Sequence, residues 1–236
     1  MAVLIDYKEF NGTDNMRIDS ELLEDAVKKE KKEPILRFYG WTPACVSLGR
    51  NQTEENINVD FCNKNNIDIV KRVTGGRGLL HDDEVTYSFV CPCSFLDGGE
   101  SIIKSYKEIS SALMEGLKTL GIETELGNKK QKSASFDYCM SLSTGADLCY
   151  NGQKLIGSAQ YRHQNYILQH GSILFSYDKD IIENIFNEKT IPNTITCINE
   201  INKDLKRKDI VEAIKNGFKH YFSISFLWIL QYKNLC

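Results

Sequence analysis

The sequence has no apolar run long enough to cross a bilayer. Its longest, "FLWIL" near the C-terminus, falls far short of the roughly 20 residues a spanning helix needs, so no membrane partner is expected. It also lacks charge of one sign. Lys and Arg number 29 against 32 Asp and Glu, net −3, and both signs are scattered. Nucleic-acid binders usually show a basic stripe, so no nucleic-acid partner is expected, although a local basic patch could still meet an acidic protein. Histidine is scarce. His81, His163, His170 and His220 form no HxxxH pair to complete the "CPC" at Cys91–Cys93, and no metal is expected. The start "MAVLIDYKEF" has no signal-peptide pattern. A soluble, cytoplasmic protein is therefore expected, with its eight cysteines as thiols rather than disulfides. Repeats, low-complexity tracts and Pro/Gly/Ser linkers are absent, which predicts one domain over residues 1–236.

What is present alternates between the two periods. "MRIDSELLEDAVKKEKK" places Ile18, Leu22, Leu23 and Val27 near a 3.6 repeat and gathers lysines at its end, as a helix does. "SIIKSYKEISSALMEGLKTLGI" is the clearest helix, with an apolar stripe of Ile103, Tyr106, Ile109, Leu113 and Leu117. "KDIIENIF" and "KDIVEAIKNGFKHYF" read as further helices, and "NVDFCNKNN" as a short helix or loop. "PILRFYGW" and "ACVSLGR" read as strands joined by a turn at Thr42–Pro43. "IDIVKRV" and "EVTYSFVC" are further strands, and a strand-rich block runs from about Ser135 to Ser176. Mixed strands and helices with hairpins predict an α+β fold with one mixed sheet and flanking helices.

Two stretches point to chemistry. In "CMSLSTGADLCYNGQKLIGSAQ" the Asn151-Gly152 pair is a strong hairpin signal, because a type I′ turn needs positive φ at both central residues. A two-residue loop pairs Tyr150 with Gln153, Cys149 with Lys154 and Leu148 with Leu155. That register sets a thiol beside a lysine. A second return is expected at His163–Asn165. Lys154 has two readings. An edge lysine discourages strand aggregation. A lysine facing a pocket could polarise a carbonyl, or hold a nearby thiol as thiolate. Gly157 follows where a ligand or backbone can approach closely. The second stretch, "KRVTGGRGLLHDDEVTYSFV", ends a strand in a basic pair that includes Arg72. Gly75 and Gly76 then free backbone N–H groups to face a ligand, with Arg77 and His81 close by. Such a loop suits an oxyanion, a phosphate or an acyl carbonyl. It is neither GxxxxGK[ST] nor a GxGxxG that opens a helix.

Together these stretches resemble the lipoate/biotin protein ligase family, and within it the cysteine-dependent octanoyltransferases of lipoate assembly. "NMRIDSELL" is similar to the family's opening helix. "RFYGWTPACVSLGRNQ" resembles R-x-Y-x-W-x-P-x-x-S-x-G-x-x-Q, and "KRVTGGRGLLHDDEVTYS" resembles R-R-x-T-G-G-R-x-x-L-H-D. "GQKLIGSAQYRHQNYILQHGSIL" resembles G-x-K-I-x-G-S-A-Q-x-R followed by L-Q-H-G-S-I-L.

The resemblance implies transfer of octanoyl from the pantetheine thioester of acyl carrier protein to a lysine of a lipoyl domain, such as glycine cleavage H protein. The acyl group passes through a cysteine thioester, and no ATP or other cofactor is needed. Alternatives are the ATP-dependent lipoate ligase, which usually has a third glycine where this chain has Arg77, and the octanoyl amidotransferase, whose loop usually lacks "LHD". A non-enzymatic binder of lipoyl domains is the remaining alternative. The resemblance also implies the nucleophile. The family's C-F-x-x-x-S-x-Y-E-L cysteine lies eighteen residues before the glycine of G-S-A-Q, which reaches Cys139 and puts Asp147-Leu148 on E-L. Cys149, favoured by local pairing, then becomes a neighbour. Cys139 and Lys154 are the implied catalytic pair, with Arg72, Gly75, Gly76, Arg77, His81, Gly157 and His170 around the substrate. The family's charged C-terminal helix is replaced here by "LWILQYKNLC".

Overall fold

A computed structural model describes residues 1–127, 138–141, 145 and 147–228. The start of the strand-rich block at Ser135, Ala146 within the cysteine loop, and the atypical end beyond residue 228 lie outside the described residues.

The chain opens with β1 (Ala2–Phe10) and α1 (Gly12–Lys28), then β2 (Ile35–Trp41), β3 (Cys45–Leu48), α2 (Val59–Lys64), β4 (Asp68–Lys71), β5 (Leu79–His81) and β6 (Glu84–Pro92). After α3 (Ile102–Lys118) come β7 (Glu125–Leu126), β8 (Leu148–Tyr150), β9 (Gln153–His163) and β10 (Tyr166–Leu174). The chain continues with α4 (Lys179–Phe186), α5 (Ile198–Ile201), α6 (Arg207–Tyr221) and β11 (Phe226–Trp228). The main sheet runs β11-β1-β2-β6-β10-β9-β8-β7. It is mixed, with β1 parallel to both neighbours and its other pairings antiparallel.

The expected α+β class with a mixed sheet and flanking helices is what the chain adopts. A second, three-stranded sheet, β4-β3-β5, accompanies it. The turn at Thr42–Pro43 therefore does not join paired neighbours. β2 enters the large sheet and β3 becomes the centre of the small one. Every residue of both strands is buried, so no alternation distinguishes their faces. The opening segment, read from sequence only as a short apolar run, is the nine-residue strand β1.

The helices form where their apolar stripes meet the sheet. In α1, Asn11 caps the N-terminus by accepting the Asp14 amide at 2.8 Å, and Met16, Ile18, Leu22, Leu23 and Ala26 are buried. Asn15 and Asp19 are buried on the same helix. α3 and α6 pack together over the sheet's other side, burying Ile109, Leu113, Leu117, Ile210, Ile214 and Phe218. Full burial of each such side chain stabilises by about 1.5–3 kcal/mol. Ile103, expected on the α3 stripe, is instead 56% exposed. It sits in the first turn, before the helix reaches the sheet.

The hairpin behaves as its turn residues dictate. Asn151 and Gly152 take φ of 50° and 78°, and Tyr150 pairs with Gln153 and Cys149 with Lys154. Leu148 pairs with Ile156 rather than Leu155, because a bulge shifts the register between Leu148 and Cys149. The second return is a two-residue turn after His163, and Tyr166 pairs back to His163. Among the described residues no helix is long and apolar enough to cross a membrane, and no disulfide joins the described cysteines.

Candidate active site

Lys154 is not an edge lysine. It is 1% exposed, and its backbone pairs with Cys149 on one side. On the other side its amide donates to Thr194 O at 2.8 Å, and its carbonyl accepts from Thr196 N at 3.0 Å. A buried ammonium needs acceptors, and three converge on it. Asp147 Oδ2 lies at 3.1 Å, the carbonyl of Cys139 at 3.0 Å and Cys139 Sγ at 3.7 Å. Burial pulls the Lys154 pKa down, but the electrostatic attraction of the Cys139 sulfur and the Asp147 carboxylate outweighs it, and the net shift is upward. Lys154 is therefore held as a cation.

Cys139 is aimed by its neighbours in sequence. Tyr138 and Met140 are buried anchors, 1% and 0% exposed, and Tyr138 packs on Phe186 with ring centres 5.0 Å apart. Between them Cys139 turns outward at the start of a short 3₁₀ turn. Its amide donates to Gly78 O at 2.7 Å, and Tyr138 bridges Gly78. The thiol is thereby fixed to the end of the glycine loop. Of the described cysteines Cys139 alone is not fully buried. Burial pushes the thiols of Cys45, Cys62, Cys91, Cys93 and Cys197 up, away from the reactive thiolate. Cys149 is buried on β8.

Cys139 stands where two spaces meet. An inner pocket of about 440 Å³ is walled by Met16, Tyr39, Trp41, Leu79 and Thr86 among others. An outer cleft of about 960 Å³ runs past Arg77, Tyr106, Asp147, Lys154 and Gln160. Gly76, Cys139, Ser158 and Ala159 line both.

The remaining residues singled out in the sequence divide by what they touch. Gly75 and Arg77 border the outer cleft. Gly76 has φ of 97° and would press a Cβ to 2.9 Å from Arg72 Nη2, so a side chain there is disfavoured. Gly157 lines the inner pocket, but its close neighbours are the chain's own. A Cβ would meet Met140 Sδ at 2.9 Å and Lys154 Cε at 3.2 Å.

Arg72 lines the inner pocket while its guanidinium holds the loop, donating to the carbonyls of Ser47, Gly75 and Arg77 at 2.8, 2.9 and 2.7 Å. His81 stacks on Trp41 at 3.9 Å and contacts Ser47 and Glu84. His170 contacts Thr74 and Asp19. Sequence reasoning missed the contributions of Tyr106, Asp147, Asp19, Ser47, Thr74 and Glu84. Asp147 carried a signal, since it falls on the acidic position of the family's E-L element. Thr74 and Glu84 lie only two and three residues from the Arg72 and His81 they contact, whereas Tyr106, Asp19 and Ser47 join the site through long-range packing.

A half-buried thiol beside a buried lysine, between a glycine loop and an apolar pocket, defines a site suited to acyl-group chemistry on a ligase-type α+β scaffold. Residues 11–219 match the family described as lipoyl protein ligase A/B catalytic domain, and the chain belongs to that family. Among its curated relatives is Octanoyltransferase LipM of Carboxydothermus hydrogenoformans, 34% identical over 94% of this chain and 87% of the relative. The proteins of the same name from Clostridioides difficile and Bacillus subtilis are 35% and 34% identical. These matches cover 95% and 87% of this chain, and 88% and 80% of the relatives. Among solved structures, lipoate-protein ligase A bound with ATP superposes with a TM-score of 0.77 at 22% identity, covering 99% of this chain and 92% of that one. A bipartite lipoate protein ligase studied with its E2 lipoyl domain, from Thermoplasma acidophilum, gives 0.74 at 19%, covering 100% and 90%. At these identities the two structures speak for the fold.

Proposed function

We propose that this octanoyltransferase works in lipoate biosynthesis through a Cys139 thioester. It takes the acyl group from acyl carrier protein and delivers it to a lysine of a lipoyl domain, with glycine cleavage H protein as the type of acceptor, in the cytoplasm. The observation that carries this reading is the position of Cys139, open to both the inner pocket and the outer cleft, with Lys154 Nζ 3.7 Å from its sulfur. The acyl chain occupies the apolar inner pocket. The outer cleft admits first the pantetheine arm and then the acceptor lysine.

In the first step the Cys139 sulfur attacks the thioester carbonyl, the new C–S bond forms, and the pantetheine thiolate leaves. In the second the neutral acceptor amine attacks the Cys139 thioester, an amide bond forms, and the Cys139 thiolate departs as the nitrogen loses a proton. Two such steps replace one difficult transfer and give ping-pong kinetics. Thioester exchange is near balance and amide formation runs downhill, so no ATP enters. Lys154 faces the sulfur in both steps, where its charge stabilises the anionic thiolate that attacks and later leaves. Gly75, Gly76 and Arg77 border the path of the arm. Arg72, His81 and His170 shape the pocket wall, and Gly157 leaves room for Lys154.

The test is transfer to H protein from octanoyl acyl carrier protein without ATP. Transfer supports this reading. Transfer only from free acid with ATP supports a ligase, and binding without transfer supports a non-catalytic role.

A further inference from the structure

Arg72 is a buried cation, 7% exposed, with no carboxylate partner among the described residues. Two parallel chains of side chains lead from it to buried acids. Its Nε donates to Thr74 Oγ1 at 3.1 Å. Thr74 Oγ1 lies 2.8 Å from His170 Nε2, and His170 Nδ1 lies 3.0 Å from Asp19 Oδ2. Its Nη1 donates to Ser47 Oγ at 3.0 Å. Ser47 Oγ lies 2.8 Å from His81 Nε2, and His81 Nδ1 lies 3.0 Å from Glu84 Oε1. Each chain reads arginine, hydroxyl, imidazole, carboxylate.

The donor inventory fixes the protons. Guanidinium N–H groups only donate, so both hydroxyl oxygens accept from Arg72, and each retains one proton to give. The atom facing that proton is the histidine Nε2. Asp19 Oδ2 accepts from Tyr39 OH at 2.9 Å, and Glu84 Oε1 accepts from Trp41 Nε1 at 3.1 Å, from Ser172 Oγ at 2.7 Å and from Thr86 Oγ1. Both are acceptor oxygens for Nδ1–H. The Ser172 hydroxyl, 3.2 Å from His81 Nδ1, thus gives its proton to Glu84 and leaves its oxygen free to accept. Were Nε2 protonated instead, both hydroxyl protons would be left without an acceptor, a costly arrangement in a buried site.

We propose that Asp19 and Glu84 are positioning residues. By holding His170 and His81 in their Nδ1–H tautomers, they fix Thr74 and Ser47 as the acceptors that lock the Arg72 clamp on the glycine loop. That loop supplies Gly76 to the walls of both the inner pocket and the outer cleft. A tautomer set from its far nitrogen is a recurrent device. Here it is used twice on one arginine.

The measurement is a long-range ¹H–¹⁵N correlation spectrum of the full chain labelled in histidine, at neutral pH. His81→Gln and His170→Gln assign the signals, and exposed His163 and His220 serve as references. Both buried rings are expected to carry the proton on Nδ1. Either ring protonated at Nε2 overturns the proposal. Glu84→Met is expected to release His81 from its single tautomer and slow Cys139 octanoylation. If that variant folds with an unchanged His81 spectrum and rate, Glu84 has no such role. Thr74→Val is expected to slow octanoylation roughly ten- to a hundredfold, the weight of a hydrogen bond to a charged group, with Thr74→Ser restoring it. A Thr74→Val enzyme at wild-type rate also overturns the proposal. Only this kinetic arm rests on the acyl-transfer reading, since the tautomers are read without substrate.

Discussion

Replacing Lys154 by methionine removes a charge 3.7 Å from Cys139 Sγ and 3.1 Å from Asp147. Two opposite charges at the first distance attract by about 4 kcal/mol at an effective dielectric near 20. Asp147 offsets part of this at the same ammonium. If half of it is felt in the transition state, the loss is about 2 kcal/mol, or roughly 30-fold in rate. The substitution also breaks the buried ion pair between Lys154 and Asp147, which costs about 3–5 kcal/mol of stability. The two effects separate in the double variant Lys154→Met/Asp147→Asn. It removes both charges, so most of the stability is expected to return while the rate stays low. The assay is quenched-flow acylation of Cys139 followed by intact mass, beside thermal unfolding of the same samples. A folded double variant that acylates at the wild-type rate would refute the role given to Lys154.

Asp19 yields a pH prediction. Burial raises its pKa, but Arg37 and His170 overcome that and hold it below the ordinary 3.8. A depressed folded pKa contributes stability above the unfolded value that is lost as pH falls through the folded one. The wild-type unfolding temperature is therefore expected to fall more steeply than that of Asp19→Asn as pH drops below about 4; parallel curves would contradict it. Gly76→Ala forces a side chain onto a φ of 97° against Arg72. A stability loss of about 1–2 kcal/mol should show in denaturant unfolding, together with slower acylation. Gly157→Ala presses on Met140 and Lys154, and is expected to lower kcat more than it raises KM in steady-state transfer.

Much of this arrangement was legible in the sequence, and the remainder was hidden for physical reasons. Asn151-Gly152 announced the hairpin, because few dipeptides accept positive φ twice. The bulge beside Leu148 has no local signature, so the third pair was displaced. Lys154 among apolar residues suited either an edge or a pocket, and only the approach of Asp147 and Cys139 decides between them. Ile103 fits the α3 period, yet the helix meets the sheet one turn later. The separation of β2 from β3 is invisible because both are buried throughout. The twin chains on Arg72 draw on residues from Asp19 to His170 across five elements and the loop between β4 and β5, which spacing cannot report.

The central claim is tested most directly by incubating the protein with octanoyl acyl carrier protein, without ATP, and locating the adduct by mass spectrometry of peptides. A thioester on Cys139, absent from Cys139→Ser and retained in Cys149→Ser, is the result predicted here. An adduct that survives in Cys139→Ser and is lost in Cys149→Ser would contradict it.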